Sequence, residues 1–101
     1  MNFNIKHDSK YNKFFTVVGG KESNLTYERI TDHILDLKLM FVPKNLRGQG
    51  IAAKVVDFAL THARKNSIKV KASCSYVKYY ISIHPEHKDL LFNNKEDIIQ
   101  A

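Results

Sequence analysis

Apolar and polar residues alternate with a period of two through most of the first half of the chain, which is typical of strands that bury one face. The pattern predicts a strand over 2–7, a second over 14–18 and a third that includes residues 25–27. A polar turn over 8–12 separates the first two strands. The Gly19–Gly20 pair can supply the positive φ angles of a tight hairpin between the second strand and the third.

The fourth strand follows a turn near residues 31–32 and shows the clearest alternation in the chain. Asp36, Lys38 and Met40 are expected on its outer face. Pro43 ends the strand, because proline cannot donate a hydrogen bond to a central ladder. The residues expected on its core face are Leu35, Leu37, Leu39 and Phe41. Four strands joined by short turns predict an antiparallel meander.

The period changes after Gly50, where apolar residues recur at helical spacing and predict a helix from Ile51 to about Asn66. A fifth strand over 68–73 follows and should pair in parallel with the fourth through a right-handed crossover. A second helix is predicted from Tyr76 to His84, with Ser73 or Ser75 as its cap and Pro85 as its end. Beyond Pro85 we expect one short docked turn and fraying of the last ~10 residues.

Length and composition limit the kinds of protein that this chain can be. With 101 residues, 44% of them hydrophobic, it fits one domain over 1–101 with a real core. No run approaches the ~18 apolar residues of a membrane span, and residues 1–10 lack the apolar stretch of a secretory signal. The formal charge of +6 makes an anionic partner plausible. A single cysteine, Cys74, excludes an internal disulfide and favours a reducing compartment, with the cytoplasm as the expected location.

The segment between the fourth strand and the first helix carries the clearest chemical signal. Gly48 and Gly50 would let the backbone turn sharply and approach a ligand, and the N–H groups that begin the helix attract anions. Arg47 and Lys44 can add positive charge at the rim. The alternative is an ordinary strand-to-helix turn whose glycines serve tight packing. The spacing matches neither a P-loop nor a dinucleotide-binding fingerprint.

The loop resembles that of the GNAT superfamily of acyl-CoA-dependent N-acetyltransferases. Its pattern, Gln/Arg-x-x-Gly-x-Gly/Ala after the fourth strand, is matched by Arg47, Gly50 and Ala52. The resemblance narrows to a subfamily of small single-domain GNAT-like proteins. It rests on Val42–Ala52, then Cys74–Val77, then His84–Glu86, within a match that spans roughly residues 35 to 90.

This resemblance implies an α+β fold, with a mixed and mostly antiparallel five-stranded sheet, a main helix after strand four and a second helix after strand five. It implies that the loop's N–H groups hold the pyrophosphate of acetyl-CoA and that the adjacent strand pairs with the pantetheine arm where strands four and five splay apart. The cofactor-binding residues that follow are Phe41, Val42, Arg47, Gly48, Gln49, Gly50, Ile51, Ala52 and Tyr76. We expect a monomer.

The chain also departs from the usual pattern of the superfamily. Only residues 8–12 lie between the first two strands, where most GNAT enzymes insert two helices that shape the acceptor pocket. Relatives in the subfamily often carry His-Thr where this chain has Leu39 and Met40, so the resemblance supplies no general base from that position.

Two residues are candidates for the catalytic chemistry. By counting along the second helix, Tyr80 takes the place of the tyrosine that protonates the leaving thiolate in GNAT enzymes; the alternative is that it packs the helix on the sheet. Cys74 ends strand five in the core register. It is either a small buried hydrophobe or a thiolate that accepts the acetyl group.

The remaining polar residues leave several alternatives open. Glu28 and Asp36 either relay a proton through water or form a solvated sheet face. The five histidines do not converge in the sequence, so we expect no metal. The lysines are spread over every segment, so nucleic-acid binding is not expected either.

The sequence therefore predicts an acetyl-CoA-dependent N-acetyltransferase that acts on an unidentified amine. A module that binds CoA or acetyl-CoA without efficient turnover is the alternative.

Overall fold

The computed structural model describes residues 2–92 and shows five strands in one sheet, packed against two helices. The strands follow the chain in the order β1-β2-β3-β4-β5; the first three pairs are antiparallel, and β4 and β5 are parallel. The elements are β1 Lys6–Asp8, β2 Lys13–Val18, β3 Lys21–Thr31, β4 Ile34–Phe41, α1 Ile51–Lys65, β5 Lys69–Ala72 and α2 Ser75–Ile83. Two 3₁₀ turns cover Lys44–Leu46 and Pro85–Leu90. The predicted fold class is confirmed, whereas the predicted fraying lies outside the described residues.

The hairpin between β2 and β3 forms as the glycine pair predicts. Gly19 and Gly20 have φ angles of 58° and 77°, and Val18 pairs directly with Lys21 across the turn. Positive φ at both central residues belongs to the two-residue turn whose twist matches that of the strands. This turn fixes the register of β2 against β3 along its whole length.

The hydrophobic core lies between the two helices and one face of the sheet. Helix α1 packs its apolar stripe on the meander, and α2 joins the same core through Val77, Tyr80 and Ile81. The largest fully buried side chains of the meander are Phe14, Leu25, Leu35 and Leu37. The opposite face of the sheet remains uncovered by the described residues.

The alternation predicted for β4 was wrong at its C-terminal half. Tyr27 pairs with Leu37 and Thr26 pairs with Leu39, so that Lys38 is an extra residue in β4. This bulge shifts every later side chain to the other face. Consequently Leu39 and Phe41, predicted in the core, are 62% and 46% exposed, whereas Met40 packs against the core.

The start of α2 also differs from the prediction. The helix begins at Ser75, and its N-cap is Cys74, which has extended backbone angles and makes no side-chain capping hydrogen bond. Neither Ser73 nor Ser75 is the cap. Residue 74 is instead fixed by its backbone, because its N–H donates to the Leu37 carbonyl at 2.8 Å.

The turn after Pro85 docks on the helices as expected. The guanidinium of Arg64 on α1 donates two hydrogen bonds to the Asp89 carboxylate, at 2.8 and 2.9 Å. The Lys69 ammonium donates to the Asp89 carbonyl at 2.7 Å, and Leu91 then forms a parallel bridge with Val70 at the outer edge of β5.

Two histidines meet between β1 and α1 at the end of the core. His7 shares a 2.6 Å hydrogen bond with the Tyr27 hydroxyl and stacks on Phe14, with ring centroids 4.4 Å apart. His62 meets the His7 ring edge-on at 4.5 Å. Burial lowers the pKa of both histidines, and the neighbouring positive charge lowers it further: His62 and Arg29 act on His7, and Arg29 acts on His62.

We predict that the protein loses stability as the pH falls below the unfolded histidine pKa of about 6.5. The folded state favours the neutral rings, so the stabilisation is complete above that pH and is lost on protonation. Thermal unfolding between pH 8 and pH 5 measures the effect, and His62→Gln should flatten the pH dependence. The control is His33→Gln, in the exposed β3–β4 turn. An equal effect of both substitutions would contradict the assignment to the half-buried pair, His7 and His62.

Candidate functional site

Strands β4 and β5 diverge and leave part of β4 without a partner. They pair from Ile34 opposite Lys69 to Leu37 opposite Ala72, and the hydrogen bond from Cys74 N–H to the Leu37 carbonyl is the last between the two segments. The chain then turns into α2, while β4 continues to Phe41. Residues 38–41 are here called the free edge of β4. Residues 39–41 pair with β3 on one side, and no described strand pairs with the free edge on the other.

A cavity of about 430 Å³ opens beside this free edge. It is lined mainly by apolar groups, with β4 on one side, the start of α1 on another, and Tyr76 of α2 between them. The lining residues are Met40, Phe41, Val42, Leu46, Arg47, Gly48, Gly50, Ile51, Ala52, Ala53 and Tyr76. The cavity therefore extends from the glycine loop to Met40 and Phe41, at the end of the free edge of β4.

The glycine loop forms one end of the cavity. Gly48 and Gly50 have φ angles of 82° and 83°, and Gly50 is the N-cap of α1. A Cβ atom built on either glycine would meet nothing within 4 Å, so tight packing inside the protein does not account for them. What remains is the left-handed backbone and the space above it, which a ligand can approach closely.

The start of α1 presents unpaired donors at this loop. The first intrahelical hydrogen bond runs from Lys54 N–H to the Gly50 carbonyl at 3.2 Å, so the N–H groups of residues 51–53 have no acceptor within the helix. No side chain caps them, and no acidic residue lies in the first turn. Together with the positive end of the helix dipole, these donors form a site suited to a phosphate group.

Arg47 holds the loop closed as well as adding charge to it. Its Nε donates to the Val42 carbonyl at 2.9 Å, across the 3₁₀ turn. Leu46, which is buried, anchors the same turn, and its N–H donates to the Pro43 carbonyl at 2.9 Å. We therefore expect removal of the Arg47 side chain to loosen the loop in addition to removing a cation.

The two tyrosines that share one face of α2 have different surroundings. The Tyr76 ring lines the cavity, and burial raises the pKa of its hydroxyl. Tyr80 is buried one turn further along and is not among the lining residues. Its hydroxyl donates to the Asp57 carboxylate at 3.3 Å, and its ring stacks on His84 with centroids 4.2 Å apart. Burial and the Asp57 charge raise the pKa of Tyr80 to about 12.

Cys74 lies where the two strands part. It is 4% exposed and belongs to the core, as its register predicts, while its backbone N–H closes the last bond between β4 and β5. Its side chain is not among the groups that line the cavity.

Most of the residues predicted to bind the cofactor come together at this cavity. All of them line it except Gln49. Met40, Leu46 and Ala53 also line the cavity; they flank the predicted segments and were not predicted. Met40 was missed because the bulge reverses its side; the other two carry no chemical signal.

A charged cluster at the bulge was predicted only in part. The Lys38 ammonium lies 3.0 Å from Asp36 Oδ2 and 3.4 Å from Glu28 Oε2. Asp36 is 3% exposed, so it is not part of a solvated face, whereas Glu28 is exposed. Burial alone would raise the pKa of Asp36. Ser73 and Lys38 together lower it by more than burial raises it, so the pKa of Asp36 lies below its usual range. Asp36 in turn raises the pKa of Lys38.

Two other features are absent from residues 2–92. No group of three or more His, Cys, Asp or Glu side chains there is placed to hold a metal ion. No helix in that range is long and apolar enough to cross a membrane.

Comparison with known proteins identifies the family. The family model described as "GCN5-related N-acetyl-transferase" matches residues 13–90. The solution structure of a "GCN5-like putative N-acetyltransferase" from Staphylococcus aureus is similar with a TM-score of 0.70 and 26% identity, covering 91% of this chain and 90% of that one. A comparison with curated proteins found no match. The family model matches most of this chain, which also has the expected sheet and helices. The chain therefore belongs to the GCN5-related N-acetyltransferase family.

Proposed function

We propose that the cavity binds acetyl-CoA and that the protein transfers the acetyl group to an amine. The observation that carries this proposal is the position of the glycine loop, at the start of a 15-residue helix and at one end of an apolar cavity that reaches the free edge of β4 at Met40 and Phe41. An anion site at one end of an apolar cavity suits a ligand that has a diphosphate at one end and an amide-containing arm at the other.

The residues present fit this ligand. The N–H groups of residues 50–53, with Arg47 beside them, would hold the pyrophosphate. The free edge of β4 offers backbone donors and acceptors to the amides of the pantetheine arm, in the manner of an added strand. Phe41, Val42 and Tyr76 would line the arm, and Ile51 and Ala52 would lie under the phosphates. Gln49 does not line the cavity, and its contact with the cofactor remains a prediction.

Acetyl-CoA supplies an activated acyl thioester, and the chain has to orient it and manage protons. The apolar lining would exclude water from a bound thioester. The acceptor has to reach the cleft from the uncovered face of the sheet, because α1 and α2 close the other face. Tyr80 and Cys74 remain predictions as catalytic residues. The bond from Tyr80 to Asp57 and its high pKa make it a weak acid in this conformation.

We predict that Gly50→Leu abolishes measurable binding of acetyl-CoA while the domain stays folded, because a side chain there would fill the space above the N–H groups. The matched control is Gly20→Leu, which places the same side chain at a similar positive φ in the β2–β3 hairpin. Calorimetric titration with acetyl-CoA compares the two variants. Unchanged affinity in folded Gly50→Leu would refute the proposed pyrophosphate site.

The candidate catalytic residues are tested by turnover, measured as thiol release with a panel of amines. On a direct route, Cys74→Ala retains most activity and Tyr80→Phe loses roughly 10²-fold, the lower range for acid–base catalysis. Tyr79→Phe is the matched control, because Tyr79 is an exposed neighbour on α2. If Tyr80→Phe behaves like Tyr79→Phe, Tyr80 is a packing residue, and Tyr76→Phe then tests the hydroxyl that lines the cavity.

Two results of the same assay would replace the direct route. An inactive Cys74→Ala that binds acetyl-CoA normally, with acetyl found on the wild-type thiol, would establish a covalent route through Cys74. Normal binding of acetyl-CoA without turnover of any amine would support the binding-module alternative.

A further inference from the structure

Lys38 occupies a singular position in β4. It is the extra residue of the bulge, and it directly follows Leu37, whose carbonyl accepts the last hydrogen bond between β4 and the chain leaving β5. Lys38 therefore lies at the apex of the cleft, where the free edge of β4 begins. The cavity reaches this edge at Met40 and Phe41, and a ligand arm that continued from there along the edge would have its far end at this apex.

The side chain of Lys38 lies on the side from which an acceptor would come. The Lys38 ammonium contacts Glu28 and Asp36, which pair with each other across β3 and β4 beside the bulge. Both carboxylates lie on the face of the sheet opposite the core residues Leu35 and Leu37. The helices cover the core face, so the Lys38 amine stands on the uncovered face at the open end of the cleft.

Two carboxylates hold this amine in an ion pair, and Asp36 raises the pKa of the Lys38 ammonium. Lys38 Nζ lies 3.0 Å from buried Asp36 and 3.4 Å from exposed Glu28. The side chain of Lys38 is nevertheless about half exposed, so it is free to swing away from the pair. An amine at the apex that can leave its ion pair and lose its proton to solvent has the position and the free lone pair that an acceptor of an acyl group needs.

We infer that Lys38 is a self-acetylation site, whose Nζ accepts an acetyl group from an acyl thioester bound in the cavity of the same molecule. This inference rests on the proposed function. The Lys38 ammonium first leaves the ion pair and gives a proton to solvent. The Nζ lone pair then forms a bond to the thioester carbonyl carbon, and the C–S bond breaks with its electrons on sulfur. The sulfur takes up one proton, the nitrogen loses its second, and one proton is released in total.

Two other lysines serve as internal controls. Lys13 also lies on the uncovered face and is ion-paired, at 2.9 Å from Glu22, but it is on β2 and far from the cleft in the sheet order. Lys71 pairs with Asp36 across β4 and β5 but lies within the paired part of the two strands. Simple chemical acetylation should treat exposed lysines according to their exposure rather than their place in the sheet.

The experiment incubates the full chain with acetyl-CoA and follows the acetylation of each lysine by peptide mass spectrometry over time. We expect Lys38 to react about ten-fold faster than Lys13 and Lys71, since proximity to a bound thioester gives a large effective concentration. The fraction modified at a given time should not depend on protein concentration. Gly50→Leu should lower the rate at Lys38 to that of Lys13, and Lys38→Arg should still bind acetyl-CoA by calorimetry.

Three outcomes would overturn the inference. These are equal rates at the three lysines, a Lys38 rate that Gly50→Leu does not change, and a rate that rises with protein concentration. If acetyl-CoA binds in the calorimeter without preferential reaction at Lys38, the inference fails and the proposed function stands. If acetyl-CoA does not bind at all, both fail.

Discussion

The hydrogen bond from Cys74 N–H to the Leu37 carbonyl marks the end of the pairing between β4 and β5, and the geometry of the site depends on it. One residue later β4 carries an extra residue, Lys38, which turns the following side chains over. The outer edge of β4 is then unpaired over the four residues 38–41. Pro43 follows soon after and has no backbone N–H to donate to a further strand. A cleft forms because β4 continues as a strand beyond the point where the chain that follows β5 enters α2.

The same constraint links the cleft to the anion site. Because β4 continues past the end of the pairing, the chain has to reverse before α1, and it does so through a 3₁₀ turn and two glycines with positive φ. Arg47 closes that reversal by donating to the Val42 carbonyl. The unpaired N–H groups of α1 consequently lie at one end of the free edge, and the charged cluster around Lys38 lies at the other. In a chain of net charge +6, the helix start without acidic residues strengthens the attraction for a phosphate group.

The parts of this arrangement that local rules govern could be predicted from the sequence. The Gly19–Gly20 hairpin, the end of α1 at Asn66 and the glycine loop each follow from residues a few positions apart. The bulge could not be predicted, because an alternating run such as 35–41 looks the same whether or not one of its residues is left unpaired. The burial of Asp36 could not be predicted either, because the alternation places it on the outer face of the sheet. The partner of Tyr80 was also out of reach, since counting along α2 gives the face of the helix and not the neighbour, Asp57, that meets it from α1.

The central claim is that backbone N–H groups at the start of α1 recognise the diphosphate of coenzyme A. Titration of isotopically labelled protein with coenzyme A, followed by two-dimensional amide NMR, tests it most directly because each N–H reports separately. The claim predicts that the largest chemical-shift changes fall on the amides of residues 48–53, with smaller ones along residues 39–42. Changes spread over the exposed lysines, with the amides of residues 48–53 unaffected, would contradict it.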